Sequence, residues 1–192
     1  MKIGILISGR GSNMAAIIDA VQCDEIPDSV VAIVISDKAD AAGLAKAAEK
    51  GVPTAVIERR GRPREEHDRE IAAILRENNV ELICLAGYMR LLSAWFVSEF
   101  PNRIINIHPS LLPAFPGLDA QRQAFEAGGK MSGCTVHFVD EHLDHGPIIA
   151  RCEVEIEEGD TVETLSAKIL EQEHKLYVDA LKQIVSARNN DT

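Results

Sequence analysis

Asn106 and His108 end the apolar run Arg103-Ile104-Ile105-Asn106-Ile107-His108. Residues two apart on a strand point to the same side, so an amide and an imidazole leave the carboxyl end of this segment together. In open α/β sheets that end is where ligands bind. An amide that can donate to an oxyanion, beside an imidazole that can give or take a proton, suits acyl transfer. The competing reading is structural, since a single histidine at a strand end commonly has no catalytic role. The chain continues Pro109-Ser110-Leu111-Leu112-Pro113-Ala114-Phe115-Pro116-Gly117. Its prolines and glycine make a rigid, irregular loop that would hold the ring in place.

Asp144 lies in Asp140-Glu141-His142-Leu143-Asp144-His145-Gly146. A solvated acidic turn explains this segment, and so does a carboxylate that reaches His108. In the second case Asp144 would orient the ring and stabilise a charge that develops on it. A metal site is a third reading, but the spacing fits no standard ligand pattern, so no metal is expected.

Ser8-Gly9-Arg10-Gly11-Ser12-Asn13 joins the first apolar run to a helical pattern. Glycines let the backbone turn tightly and aim successive N–H groups at one point, and the helix adds its N-terminal partial charge. Ser12 and Asn13 would add side-chain hydrogen bonds or cap the helix. A dinucleotide loop would need a third glycine where Met14 stands, and the Gly-Lys-Ser/Thr of a nucleotide triphosphate loop is absent. A monophosphate is therefore the ligand expected, with a tight structural turn as the alternative.

The elements that must position these groups alternate. Strands are predicted over Ile3–Ser8, Val30–Ser36, Thr54–Ile57, Leu82–Ala86 and Arg103–Ile107. Helices are predicted over Met14–Val21, Ala41–Lys50, Pro63–Asn78 and Ser93–Phe100. Doubly apolar strands separated by helices argue for a parallel α/β sheet. Gly133–Val139 and Pro147–Val154 follow with no helix between them, which predicts an antiparallel pair. A long amphipathic helix then starts at Thr161, with Asp160-Thr161-Val162-Glu163 as its capping box, and the tail Ser186–Thr192 is expected to fray.

A length of 192 residues suits one domain. A formal net charge of -10 argues against a nucleic-acid surface, although local basic groups can still hold an anionic small molecule. No apolar stretch approaches a membrane span, and the run Lys2–Ile7 is too short for a signal sequence. Cys23, Cys84, Cys134 and Cys152 form no C-x-x-C pair, and Cys84, Cys134 and Cys152 sit in apolar runs. Buried free thiols in a cytoplasmic protein are expected.

Taken together, the Ser8–Asn13 loop, the string Asn106-Ile107-His108-Pro109-Ser110-Leu111-Leu112-Pro113 with Phe115-Pro116-Gly117, and Gly133–Val139 leading to Asp144 resemble the folate-dependent formyltransferases. The resemblance extends over almost the whole chain. It implies a Rossmann-like, mostly parallel sheet extended by antiparallel strands in a single domain. About residues 1–100 would form a phosphate-binding half, and about 101–192 a catalytic and folate-binding half. The implied cosubstrate is 10-formyltetrahydrofolate, the acceptor glycinamide ribonucleotide, and the assembly a monomer or homodimer. Asn106, His108 and Asp144 match the catalytic set. Gly11, Ser12 and Asn13 match the substrate-phosphate loop, and Leu170 and Glu173 match positions near the substrate amine. Met89, Arg90, Leu91, Leu92, Val139 and Asp140 match the pterin pocket, and Arg64 and Arg90 match positions that meet folate carboxylates. The bond before Pro113 is expected to be cis. Val178 stands where relatives often carry proline, and His145 where they often carry glycine or threonine.

Three other readings make different demands on the chain. Formyltetrahydrofolate hydrolases normally add an N-terminal domain, for which a first strand beginning at Lys2 leaves no room. Methionyl-tRNA formyltransferases normally add a C-terminal nucleic-acid-binding domain. A non-catalytic nucleotide-binding module would use the first loop alone and would not need Asn106, His108 and Asp144 to meet.

Overall fold

Side-chain alternation along the first strand sets the architecture. In a computed structural model that describes residues 1–190, β1 (Lys2–Ile7) sends Ile3, Ile5 and Ile7 into one apolar cluster and Leu6 into another. Both faces of the strand are therefore covered, which is why its sequence is an apolar run rather than an alternating one. The first cluster is closed by α1 (Ser12–Gln22), α2 (Ala42–Glu49) and α6 (Val162–Asn190). The second is closed by α3 (Arg64–Glu77) and α4 (Ala94–Glu99). Gly4 lets α3 approach the sheet: a Cβ there would lie 2.7 Å from Leu75 Cδ2.

One seven-stranded sheet runs β3-β2-β1-β4-β5-β6-β7. The parallel part comprises β1, β2 (Val30–Ser36), β3 (Thr54–Val56), β4 (Leu82–Leu85) and β5 (Ile104–His108). β6 (Met131–Phe138) and β7 (Ile148–Glu155) continue it antiparallel, as their short connection predicts. Strand order reverses between β1 and β4, so the loops after these strands open the crevice where ligands bind in such sheets. Two bonds tie those loops together: Ser8 N–H donates to the Gly87 carbonyl at 3.1 Å, and Met89 N–H to Ser8 Oγ at 2.8 Å.

Three expectations need correction. The helix α5 (Ala120–Glu126) was not predicted, because its buried positions are only Ala120 and Ala124 and give no apolar periodicity. The capping interaction of α6 is shifted by one residue. Thr164 N–H donates to Thr161 Oγ1 at 3.3 Å, and Thr161 N–H donates back to Thr164 Oγ1 at 2.9 Å, so Thr164 takes the place assigned to Glu163. Finally, α6 continues through Ser186 to Asn190 instead of fraying, and 191–192 lie outside the described residues. Val178 sits buried in this unbroken helix and retains the backbone N–H that proline would lack. One turn of α6 is fixed to the sheet by Tyr177, whose buried hydroxyl lies 3.0 Å from the Leu85 carbonyl and 3.1 Å from that of Ile105.

The four cysteines are free; Cys84 and Cys134 are buried, Cys152 is half-buried and Cys23 is exposed. No helix among the described residues is long and apolar enough to cross a membrane.

Candidate active site

β5 delivers Asn106 and His108 to one side, as their spacing predicts, and the antiparallel register adds a group that the sequence reading gave no role. His137 on β6 is the cross-strand partner of Asn106. Asn106 Nδ2 lies 3.3 Å from His137 Nε2, and His137 Nδ1 lies 2.8 Å from the Phe138 carbonyl. The carbonyl requires a proton on Nδ1, which leaves Nε2 as the acceptor for the Asn106 amide. Burial holds the imidazole below the usual histidine range, against the opposing pull of the Phe138 carbonyl and the Asp144 charge. His137 is thus a neutral ring that orients the Asn106 amide. Only strand register puts it there, and sequence spacing gives no hint of that register.

Asp144 reaches this cluster. Its Oδ2 lies 3.4 Å from His108 Nδ1, and its Oδ1 lies 3.7 Å from His137 Nε2. Gly117 N–H donates to Asp144 Oδ2 at 2.8 Å and anchors the carboxylate. His108 Nε2 lies 2.9 Å from the Phe115 carbonyl, so that bond turns Nδ1 toward Asp144. The proline-rich loop supplies this carbonyl and is itself held. Ser110 Oγ donates to the Ala114 carbonyl, and Thr135 Oγ1 on β6 donates to the Ser110 carbonyl at 2.7 Å. The Leu112–Pro113 bond is cis. His108 and Asp144 are nearly buried, with side chains 6% and 8% exposed, so their interaction is weakly screened.

The first loop leads into α1 without the side-chain cap expected of Ser12 or Asn13. Neither Ser12 nor Asn13 caps α1; Gly11 is the N-cap, at φ 65, and no side chain takes the capping bond. That conformation is one an L side chain rarely adopts, and a Cβ at Gly11 would also meet the Gly43 backbone at 2.8 Å. The free first-turn N–H groups of α1 are the feature that suits a phosphate. Asn13 instead turns its Nδ2 to Glu173 Oε2 on α6, at 2.7 Å, while its buried Oδ1 has no partner among the described residues. Burial raises the Glu173 carboxyl above the usual range, partly offset by Asn13 and by the charge of Arg10. Leu170 is half-buried three residues earlier on the same face of α6.

The remaining predicted positions lie in the loop after β4, just beyond β6 and at the start of α3. Met89 and Leu91 are exposed apolar side chains, and Leu92 is half-buried. Val139 packs against the second core cluster, and its N–H donates to the Ile104 carbonyl at 2.9 Å. Arg90 is not free: its Nε donates to Asp37 Oδ2 at 2.7 Å, and that carboxylate is fully buried. Arg64 is exposed at the start of α3. Asp140 is half-buried and bonded within its own loop, to His142 N–H and His145 Nδ1.

A buried His–Asp pair stands beside an oriented amide at the end of β5, with β4 between it and the uncapped glycine loop that follows β1. In comparison with known proteins, residues 1–181 match the family described as formyl transferase. The chain belongs to the formyl transferase family. A phosphoribosylglycinamide formyltransferase of Bacillus subtilis is 43% identical over 98% of this chain and 96% of its own length. The trifunctional purine biosynthetic protein adenosine-3 of Drosophila pseudoobscura is 48% identical over 96% of this chain. The formyl transferase chain spans only 14% of the length of that larger relative. Among solved structures, glycinamide ribonucleotide transformylase 1 of Symbiobacterium toebii superposes with a TM-score of 0.95 at 50% identity, covering 98% of this chain and 89% of that one.

Proposed function

We propose that this formyl transferase moves the formyl group of 10-formyltetrahydrofolate to the amine of glycinamide ribonucleotide, a step of purine biosynthesis. The observation that carries the reading is the convergence of Asn106, His108 and Asp144, with His108 Nδ1 and Asp144 Oδ2 3.4 Å apart. A module that only binds nucleotides needs no such convergence. The relatives named phosphoribosylglycinamide formyltransferase support the choice of acceptor.

In this reading the neutral substrate amine attacks the formyl carbon, and the carbonyl electron pair moves onto oxygen. Asn106 Nδ2 and the Nδ1–H of His108 donate to that oxyanion. The tetrahedral adduct collapses by breaking the bond from carbon to the folate nitrogen, which takes up a proton. The proton lost by the attacking amine leaves toward Asp144, directly or through a water. The uncapped start of α1 with Gly11, Ser12 and Asn13 holds the ribonucleotide phosphate, and Glu173 with Leu170 faces its amine end. Met89, Leu91, Leu92 and Val139 give the pterin an apolar wall. Arg64 and the open edge of the Arg90 guanidinium meet the folate carboxylates. About residues 1–100 would carry the phosphate loop and part of the folate wall, and the rest would carry the catalytic set and the remainder of the folate site. Four cysteines without a disulfide support a cytoplasmic setting.

A product assay tests this function. Purified protein with 10-formyltetrahydrofolate should deformylate it only when glycinamide ribonucleotide is present, and should yield formylated ribonucleotide in equal amount. Deformylation at the same rate without the amine would assign a hydrolase instead, and ligand binding with no turnover would leave only the binding module.

A further inference from the structure

We propose that Asp140, His142 and His145 form a three-ligand site for a divalent transition metal of the zinc class, on the loop that carries Asp144. The linear spacing of these residues gave no reason to expect a metal. The fold supplies the reason, because the loop from Phe138 to Gly146 closes tightly. A Cβ at Gly146 would lie 1.9 Å from the Phe138 carbonyl oxygen, so only glycine lets the two ends of the loop approach this closely. Closure brings one ligand atom from each of the three side chains within 4.8 Å of the other two.

Two of the three atoms stand close to the spacing that coordination needs and would have to part by only a few tenths of an ångström. His145 Nδ1 and Asp140 Oδ2 are 3.0 Å apart. Bonds of about 2.0–2.1 Å to a tetrahedral zinc ion set neighbouring ligand atoms about 3.3–3.4 Å apart. The His142 and His145 rings stand 5.3 Å apart between centroids, inclined at 58°. His142 is exposed, so side-chain rotation suffices to bring its nitrogen into range. The Asp140 carboxylate is oriented by the His142 N–H, which donates to Oδ1 at 2.9 Å, and this leaves Oδ2 directed at His145. The His145 side chain is 73% exposed, so binding requires little desolvation of the ring and leaves the remaining coordination position to water.

Charge and donor type set the class of ion. Asp140, Glu141 and Asp144 make the loop acidic, which favours a cation. Two imidazoles with one carboxylate favour zinc, nickel or copper over the oxygen-seeking magnesium and calcium. The neighbouring cluster of His108, His137 and Asp144 is a poorer host. His108 Nε2 and His137 Nδ1 are already directed at backbone carbonyls, and all three side chains are nearly buried.

Asp144 lies between the ligands His142 and His145, so occupancy would fix the segment on which the carboxylate sits. Metal binding itself does not depend on the reaction proposed above; an effect on turnover does. The test titrates untagged protein with zinc chloride by calorimetry, with magnesium chloride as the hard-cation control. One equivalent of zinc should bind. H142A, H145A and D140N should each weaken binding by at least about tenfold. C23S, which removes the exposed thiol, should bind zinc as the parent does, and magnesium should give no comparable heat. The proposal is overturned if the parent takes up no zinc, if H142A and H145A bind it as tightly as the parent, or if H108A abolishes binding while H145A does not. In parallel, zinc should slow formyl transfer by the parent and not by H145A. A protein that binds zinc through these residues yet shows no transferase activity would refute the functional reading and leave the metal site standing.

Discussion

At the level of single residues, His108 and Asp144 interact at 3.4 Å, longer than a good hydrogen bond, and the Phe115 carbonyl holds the other side of the ring at 2.9 Å. The ring is fixed from one side and left responsive on the other, where substrate would sit. His108→Ala and Asp144→Ala should therefore each lower kcat by about 10²–10⁴-fold, the range for losing a positioned acid or base, with KM shifted only slightly. Steady-state kinetics check this, and a rise in KM at unchanged kcat would remove these residues from the chemistry. Glu173 makes a different prediction. Its buried carboxyl is raised in the folded state, so it favours folding most below the unfolded carboxyl value and loses that contribution as pH rises through the folded value. Glu173→Gln keeps an acceptor for the Asn13 amide and removes the buried charge. Its melting temperature should exceed the parent's at pH 7, with the gap narrowing toward about pH 4, the usual carboxyl range. The same substitution should weaken use of the amine substrate. Equal melting temperatures at both pH values would mean that burial of this charge costs little.

In the proposed function, single elements act through their ends. The start of α1 suits the proposed phosphate because no side chain occupies its N–H groups, and Gly11 is what makes that end possible. Gly11→Ala would place a Cβ at φ 65 and 2.8 Å from the Gly43 backbone, which has no flexible side chain to yield. We expect a loss of about 1–3 kcal/mol in stability, the range for strain at such a backbone position. KM for the ribonucleotide should rise more than KM for the folate. Denaturant unfolding and two-substrate kinetics would measure the two effects, and equal rises in both KM values would deny α1 its selective role. This element also marks what sequence can and cannot reveal. The apolar run and the glycine placement located β1, the loop and α1 to within two residues, and the period of two placed Asn106 and His108 on one side of β5. Those are local properties. His137 depends on the β5–β6 register, Asp37 on a contact 53 residues from Arg90, and the Asn13–Glu173 bond on a contact across 160 residues. None of these has a local signature, and α5 escaped notice because it buries only alanines.

The molecule as a whole is held together across its N-terminal and C-terminal halves, to which the proposed function gives different tasks. β4 and β5 pair in parallel at the middle of the sheet, and α6 packs behind them. The Tyr177 hydroxyl of α6 meets the Leu85 carbonyl of β4 and the Ile105 carbonyl of β5. Asn13 of α1 and Glu173 of α6 add a second link between the halves. With these links buried, the two halves should unfold together. The single tryptophan, Trp95, lies on α4 in the N-terminal half, and α6, at 29 residues, dominates the helical signal of the C-terminal half. Urea unfolding followed by tryptophan fluorescence and by far-ultraviolet circular dichroism should therefore give one coincident transition. Tyr177→Phe removes only the shared hydroxyl and should lower stability by about 1 kcal/mol, moving both transitions by the same amount. If fluorescence changed at a different urea concentration from the helical signal, the halves would be separate folding units and α6 would not couple them. A shift in the helical signal alone would place the cost of Tyr177→Phe within α6 rather than at its junction with β4 and β5.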